Sequence, residues 1–219
     1  VHSVSDAGRV IAGSARGTRL RAPGEGTRPL SDRVKEALFA ILEPNLAGAN
    51  VLDLFAGSGA GGIEALSRGA AHATFVEQYP TAAHVIGENL AHARLAERGH
   101  VACTDVITYL GTRAAPDGPF DVVLVDPPYA EADLMNAALA RLGAGGPPLL
   151  RPKAWVVAKH FWRTPPPAVV GLLASVRTRR FGETALTFYR PTAETLRDAG
   201  PIENASADGS GERPEEAAR

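Results

Sequence analysis

Cysteine is almost missing from this chain, with Cys103 the single one in 219 residues. That excludes an intramolecular disulfide framework and any zinc site built on a cysteine cluster, and it fits a reducing, cytoplasmic compartment. Long apolar runs are missing too. Val122–Val125 and Ala154–Ala158 are among the longest, far short of the roughly 20 residues that span a bilayer, and no signal-peptide pattern opens the sequence. No membrane role is expected. Lysine is scarce, three against 20 arginines, which reads as GC-rich coding and not as function.

With 45% hydrophobic and 21% charged residues the chain can bury a core, and its length suits one large domain with appendages. A net charge of −1 hides a polarity along the chain. Residues 1–35 carry seven basic side chains against three acidic ones, a net of +4, and residues 191–219 carry the reverse, a net of −4. The organisation expected is a basic β-hairpin extension over 1–30, a core domain over 31–191, and an acidic tail over 192–219. The tail is too poor in large apolar residues to offset the entropy of ordering, so it is expected to be disordered.

Between head and tail, short apolar runs alternate with helical patterns, the signature of an α/β fold with a parallel sheet covered on both faces. Seven strands are expected, at Val51–Phe55, Ala73–Glu77, His100–Cys103, Asp121–Val125, Ala154–Lys159, about Ser175–Phe181 and Thr184–Arg190. Gly182-Glu183 would join the last two as a hairpin, giving an antiparallel edge. Helices are expected at Ser31–Leu42, with Ser31 as N-cap, and at Gly59–Arg68, Thr81–Ala96 and Ala132–Leu142. In the head, Arg9–Ala12 and Thr18–Arg21 flank Gly13 and Gly17 as a small hairpin.

Val51-Leu-Asp53-Leu-Phe55-Ala-Gly57-Ser58-Gly59-Ala-Gly-Gly62 reads as a strand, a glycine turn and a helix start. Gly57, Gly59 and Gly62 satisfy G-x-G-x-x-G, and Glu77 ends the next strand where a carboxylate can accept from ribose hydroxyls. The pattern points to an adenosine-type ligand without separating a dinucleotide from S-adenosylmethionine. Asp53 favours the second, because a carboxylate before the loop repels a pyrophosphate and suits a ligand with sulfonium and amino cations. Asp105, beyond the third strand and followed by Val106, can accept from an adenine amino group, cap the short helix Val106–Leu110, or do both.

Asp121–Val125 runs into Asp126-Pro127-Pro128-Tyr129, and two prolines fix the turn and the residue before them. This suits methyl transfer to an exocyclic base amine, whose N–H bonds need acceptors on one side while the nitrogen lone pair faces the methyl. Asp126 and the Pro127 carbonyl are the expected acceptors, and Tyr129 offers a face for a base taken out of its stack. The same turn serves adenine as well as guanine. A non-catalytic RNA-binding protein on a degenerate fold, or a nicotinamide dehydrogenase, fits the intact loop and turn less well.

Gly8-Arg9-Val-Ile-Ala-Gly-Ser-Ala-Arg-Gly17, Thr27-Arg28-Pro29, Asp32-Arg33-Val-Lys-Glu-Ala-Leu-Phe39, Asp53–Gly59, Glu64–Gly69 and Asp126–Tyr129 together resemble the bacterial 16S rRNA guanine-N2 methyltransferase family, methyltransferase D, acting on guanine-966. The resemblance covers about Gly8 to Arg190. It implies a seven-stranded Rossmann-like S-adenosylmethionine-dependent fold and a substrate of 16S rRNA in the small subunit or a late assembly intermediate. A monomer is expected. Carried across by motif, Asp126, Pro127, Pro128 and Tyr129 would be catalytic, and Asp53, Phe55, Gly57, Ser58, Gly59, Glu77, Asp105 and Val106 would hold the cofactor. Arg9, Arg16, Arg19, Arg28 and Arg33 would touch RNA. The resemblance implies an acid at the end of the fifth strand, where this chain reads Lys159-His160, so no role is assigned there. The +4 head is expected to be the RNA arm, removable without unfolding the core, with Arg177, Arg179 and Arg180 as the fallback.

Overall fold

The computed structural model describes residues 6–24, 31–111, 117–128, 131–144 and 149–192. The expected tail beyond Thr192, Arg28 and Tyr129 lie outside the described residues.

The elements, in chain order, are strands β1 (Asp6–Arg9) and β2 (Arg19–Arg21), helix α1 (Asp32–Leu42), β3 (Asn50–Leu54), α2 (Ala60–Ser67), β4 (His72–Glu77), α3 (Pro80–His92), β5 (Gly99–Cys103), α4 (Val106–Gly111), β6 (Phe120–Val125), α5 (Ala132–Gly143), β7 (Leu150–Phe161), β8 (Val169–Val170), β9 (Leu173–Phe181) and β10 (Thr184–Pro191). The large sheet runs β5-β4-β3-β6-β7-β10-β9-β8. Its five strands from β5 to β7 are parallel, and β10, β9 and β8 follow antiparallel. All seven expected strands are present, and β8 adds a two-residue eighth at the edge. Strands β3, β4 and β6 are buried over nearly their whole length, as expected where helices cover both faces.

Local chemistry sets the element ends. Ser31 caps α1, its hydroxyl accepting from the Val34 N–H, and Val34, Leu38, Phe39 and Leu42 form the buried stripe. Helix α3 stops at His92, short of the expected Ala96, because Arg94 turns left-handed at φ 58°. Gly182 at φ 60° makes the two-residue turn that pairs Phe181 with Thr184.

One apolar core fills each face of the sheet, with α1, α2 and α3 on one side and α4 and α5 on the other. The small β1–β2 hairpin belongs to the first. Ala7, Val10, Ala15 and Leu20 are buried there, and Leu20 alone gains about 1.5–3 kcal/mol by that burial. Its backbone is fastened as well. Glu64, fully buried on α2, accepts from the Ile11 and Ala12 N–H groups at 2.7 and 3.1 Å. Asn89 on α3 both accepts from the Arg21 N–H and donates to its carbonyl. The head is therefore built into the core and is not the detachable arm its composition suggests.

Candidate functional site

From β3 the chain runs outward to β4 and β5 and then crosses back to β6, so the strand order reverses between β3 and β6. A crevice opens at the carboxyl ends of such neighbours. Here it is a cavity of about 900 Å³, and Asp53, Phe55, Gly57, Ser58, Glu77, Asp105, Val106, Asp126, Pro127 and Pro128 all line it. The structure thus brings together the residues expected at the two motifs. Gly59 lies just behind the wall as the left-handed N-cap of α2, at φ 76°.

The glycine loop is shaped by its neighbours. Phe55 leaves β3 at φ 61°, a conformation rare for a bulky side chain and a sign of strain held by the surroundings. Gly57 N–H donates to Glu77 Oε2 at 2.9 Å, and Tyr79 N–H donates to Oε1 at 3.0 Å. Glu77 thereby ties the loop to the end of β4 and keeps acceptor lone pairs for a ligand. Gly62 allows α2 to press on β4, since a Cβ there would stand 2.3 Å from the Phe75 ring. Asp53, at 4% exposure, accepts from Gly62 N–H at 2.7 Å. Burial pushes its carboxyl up to about 7, the Gly62 hydrogen bond opposes this, and the charges of Asp126 and Glu77 add to it. Asp105 Oδ1 accepts from Thr108 N–H at 2.8 Å, so it caps α4 while facing the cavity.

Register explains the far side of the site. Val125 of β6 pairs with Ala158 of β7, so the next residues, Asp126 and Lys159, stand side by side. Lys159 Nζ donates to both Asp126 oxygens, at 2.7 and 2.9 Å. Burial raises the Asp126 carboxyl above its ordinary value and Lys159 pulls it back. Sequence reading assigns Lys159 no role because it stands where the resemblance implies an acid, and its contact across 33 residues depends on strand order, which no local pattern displays.

Of the arginines expected at RNA, Arg33 stands at the cavity wall at the start of α1, and Arg16 is exposed on the hairpin turn. Arg9 pairs with Asp32 at 3.2 Å and Arg19 with Asp6 at 2.9 Å, so acids of the same segment offset much of the head's charge. Also at the cavity wall are Phe181, Glu183, Thr184 and Leu186 of the β9–β10 hairpin, none expected from sequence.

Five acidic residues line one cavity, Asp53, Glu77, Asp105, Asp126 and Glu183, and they disfavour a pyrophosphate and suit a ligand that carries positive charge next to an adenosine, as S-adenosylmethionine does. Sheet order, glycine loop and acidic cavity define a methyltransferase of the S-adenosylmethionine-dependent class. The model of the family described as Conserved hypothetical protein 95 matches residues 8–190, and the chain belongs to this family, that of ribosomal RNA small subunit methyltransferase D. The Bacillus subtilis (strain 168) protein YlbH is 37% identical over 183 residues, 83% of this chain and 98% of that one. Ribosomal RNA small subunit methyltransferase D of Escherichia coli (strain K12) is 34% identical over 199 residues, 90% of this chain and 97% of its own. The solved structure of yhhF from Escherichia coli is similar with a TM-score of 0.74 at 32% identity, covering 84% of this chain and 98% of that chain.

Proposed function

We propose that this protein transfers a methyl group from S-adenosylmethionine to the exocyclic N2 amine of a guanine in 16S rRNA, acting as a cytoplasmic monomer on the small subunit or a late assembly intermediate. The Asp126–Lys159 pair on the proline-fixed turn carries this reading. The names of the relatives support rRNA as the substrate class.

The cofactor supplies a methyl group on a sulfonium, electrophilic enough that no strong base is needed. Asp53 faces the ligand's positive end, Glu77 takes the ribose hydroxyls and Asp105 the adenine amino group, with Phe55, Gly57, Ser58, Gly59 and Val106 shaping the wall. Asp126 accepts an N–H of the guanine amine and the Pro127 carbonyl takes the second, which turns the nitrogen lone pair towards the methyl. The ionised carboxylate is the stronger acceptor for these N–H bonds. Burial raises the Asp126 carboxyl, and the Lys159 ammonium opposes that rise and favours the ionised form. After transfer the nitrogen is acidic and loses its proton to water or to Asp126. Tyr129 gives the base a face to rest on, and Arg9, Arg16, Arg19, Arg28 and Arg33 contribute backbone contacts.

Mass spectrometry of nucleosides from small-subunit rRNA of cells with and without the gene tests this. Loss of N2-methylguanosine on deletion, restored by wild type and not by Asp126→Ala, is expected. Loss of N6-methyladenosine instead would overturn the base assignment, and failure to bind S-adenosylmethionine in a calorimetric titration would overturn the enzyme.

A further inference from the structure

The head is not the most positive part of this chain. Residues 150–192 hold eight Arg and Lys side chains against a single acid, Glu183, a net of +7 in a protein of net −1. This stretch is strand β7 and the antiparallel strands β8, β9 and β10 that follow it. Arg151 and Lys159 are paired with Asp121 and Asp126, and the like charge that remains is costly in a folded surface unless a counter-charge covers it in use.

Strand pairing places these charges at the site. Arg179 of β9 lies opposite Leu186 and Arg177 opposite Phe188, so both stand on the same face as Leu186, which lines the cavity. Two residues apart on one strand face, they are about 6.6 Å from each other along the strand. Arg180 points to the opposite face and lies over the Trp162 ring at 3.7 Å, with Arg163 at 5.0 Å from the same ring. Trp162 N–H donates to the Glu183 carbonyl, which seats this stack beside the turn at the cavity mouth. Arg163, Arg177, Arg179 and Arg180 make no ion pair with a carboxylate among the described residues, whereas Arg9, Arg19 and Arg21 of the head are paired with Asp32, Asp6 and Glu88.

We propose that the β9 side of the sheet, Arg177 and Arg179 on one face with Arg180 and Arg163 on Trp162 at its end, is the principal grip on the phosphate backbone of the RNA whose base enters the cavity. This rests on the reading of the protein as an rRNA methyltransferase. A base drawn into the cavity leaves its flanking phosphates outside the mouth, next to the hairpin that carries this surface. RNA is favoured over an acidic protein because guanidinium groups with no carboxylate partner of their own fit phosphate oxygens in bidentate pairs, and because the stacked Trp162 adds an aromatic face of the kind that RNA surfaces use.

The test uses the full chain, small subunits from cells lacking the gene, and protein-free 16S rRNA. Wild type is assayed first, and absence of methyl transfer to the subunits would overturn the substrate reading itself. Given transfer, Arg177→Ser/Arg179→Ser should raise KM for subunits at least tenfold with kcat within about threefold, and leave the cofactor Kd unchanged as evidence of folding. The slope of log K against log salt should fall by roughly 1.4–1.8, two phosphate contacts at about 0.7–0.9 each. Arg177→Lys/Arg179→Lys should keep the slope. Wild-type KM and slope in the serine variant, equal losses in the lysine variant, or loss of subunit binding with naked rRNA binding intact would each overturn the proposal, the last in favour of a protein partner.

Discussion

Lys159 Nζ bridges both carboxylate oxygens of Asp126, at 2.7 and 2.9 Å, from the neighbouring strand. On the proposed reading this pair sits where methyl transfer needs an acceptor, and Lys159 favours the ionised form of that acceptor. Burial raises the Asp126 carboxyl, and the opposite charge at this distance works against that rise.

Replacing Lys159 by Met removes the opposing charge and leaves burial to act alone. Because the carboxylate is the working form, rate falls as pH drops through the Asp126 pKa, and raising that pKa moves the acid limb to higher pH. The acid limb of the kcat/KM profile of Lys159→Met should therefore lie at higher pH than that of wild type. Asp126→Ala should abolish transfer while leaving the cofactor Kd within about tenfold, or 1.4 kcal/mol. An unshifted profile in Lys159→Met would show that the ammonium does not hold Asp126 ionised.

Asp53 makes cofactor binding depend on pH. Its carboxyl titrates at about 7 in the folded protein, above the ordinary value of 3.8, so the folded state holds an extra proton between these values. Stability therefore falls as pH rises through that window. Asp53→Asn carries no such proton, so its Tm relative to wild type should climb from about pH 4 to about pH 7 and level off above. A cationic ligand prefers the carboxylate. Wild-type affinity for S-adenosylmethionine should weaken as pH falls below about 7, by at most tenfold per unit, while the Asn variant binds weakly at every pH. A wild-type Kd that stays constant from about pH 5.5 to 8.5 would refute this.

Glu77 holds the loop through Gly57 N–H, and on the proposed reading it also offers acceptors to the ligand. Glu77→Gln preserves size but gives up one acceptor oxygen and the charge. Loss of a hydrogen bond to a charged group costs about 1.5–3 kcal/mol, so the cofactor Kd should rise by roughly 10- to 150-fold. Calorimetry decides it, and an unchanged Kd would move the ribose contact elsewhere.

Strong local patterns made the parallel half of the fold and the cofactor wall legible. Apolar runs at β3, β4 and β6 are buried on both faces, and the glycine and proline turns announce themselves by residue type. What stayed hidden depends on which distant elements meet. Strand β8 is two residues long, too short for any periodicity. Strand β7 begins at Leu150, which pairs with Phe120, four residues before its apolar run, and the exposed Arg151, Pro152 and Lys153 lie in an irregularity of register before Trp155 meets Val122. Lys159 acquires its partner only through the β6–β7 register. The head reads as a basic arm because its arginines are visible in the sequence, whereas the acids that pair with them and the buried Glu64 that binds its backbone are not recognisable as partners.

Glu64 supplies the last prediction, since it decides whether the hairpin is an accessory or a part of the core. Its carboxylate is fully buried and takes three donors, the N–H groups of Ile11 and Ala12 and, at 2.8 Å, Arg68 Nε, whose side chain is itself only 9% exposed. Glu64→Ala would strand the Arg68 charge and two backbone N–H groups where water reaches poorly. Breaking a buried pair in this way costs about 3–5 kcal/mol. At about 2–4 °C per kcal/mol for a chain of this size, Tm should drop by roughly 6–20 °C. Gly13→Ala should act on the same joint, because Gly13 lies at φ 86° and a Cβ there would meet the Ser67 carbonyl oxygen at 1.9 Å. Deleting residues 1–20 removes Ala7, Val10, Ala15 and Leu20 from the core and leaves the buried ammonium of Lys35 without the Arg9 carbonyl it donates to. The deletion should therefore lower stability at least as much as Glu64→Ala, and lose RNA methylation and cofactor binding together as the fold loosens. If the truncated chain keeps wild-type Tm and cofactor affinity, the hairpin is an independent arm after all and its arginines act only at RNA.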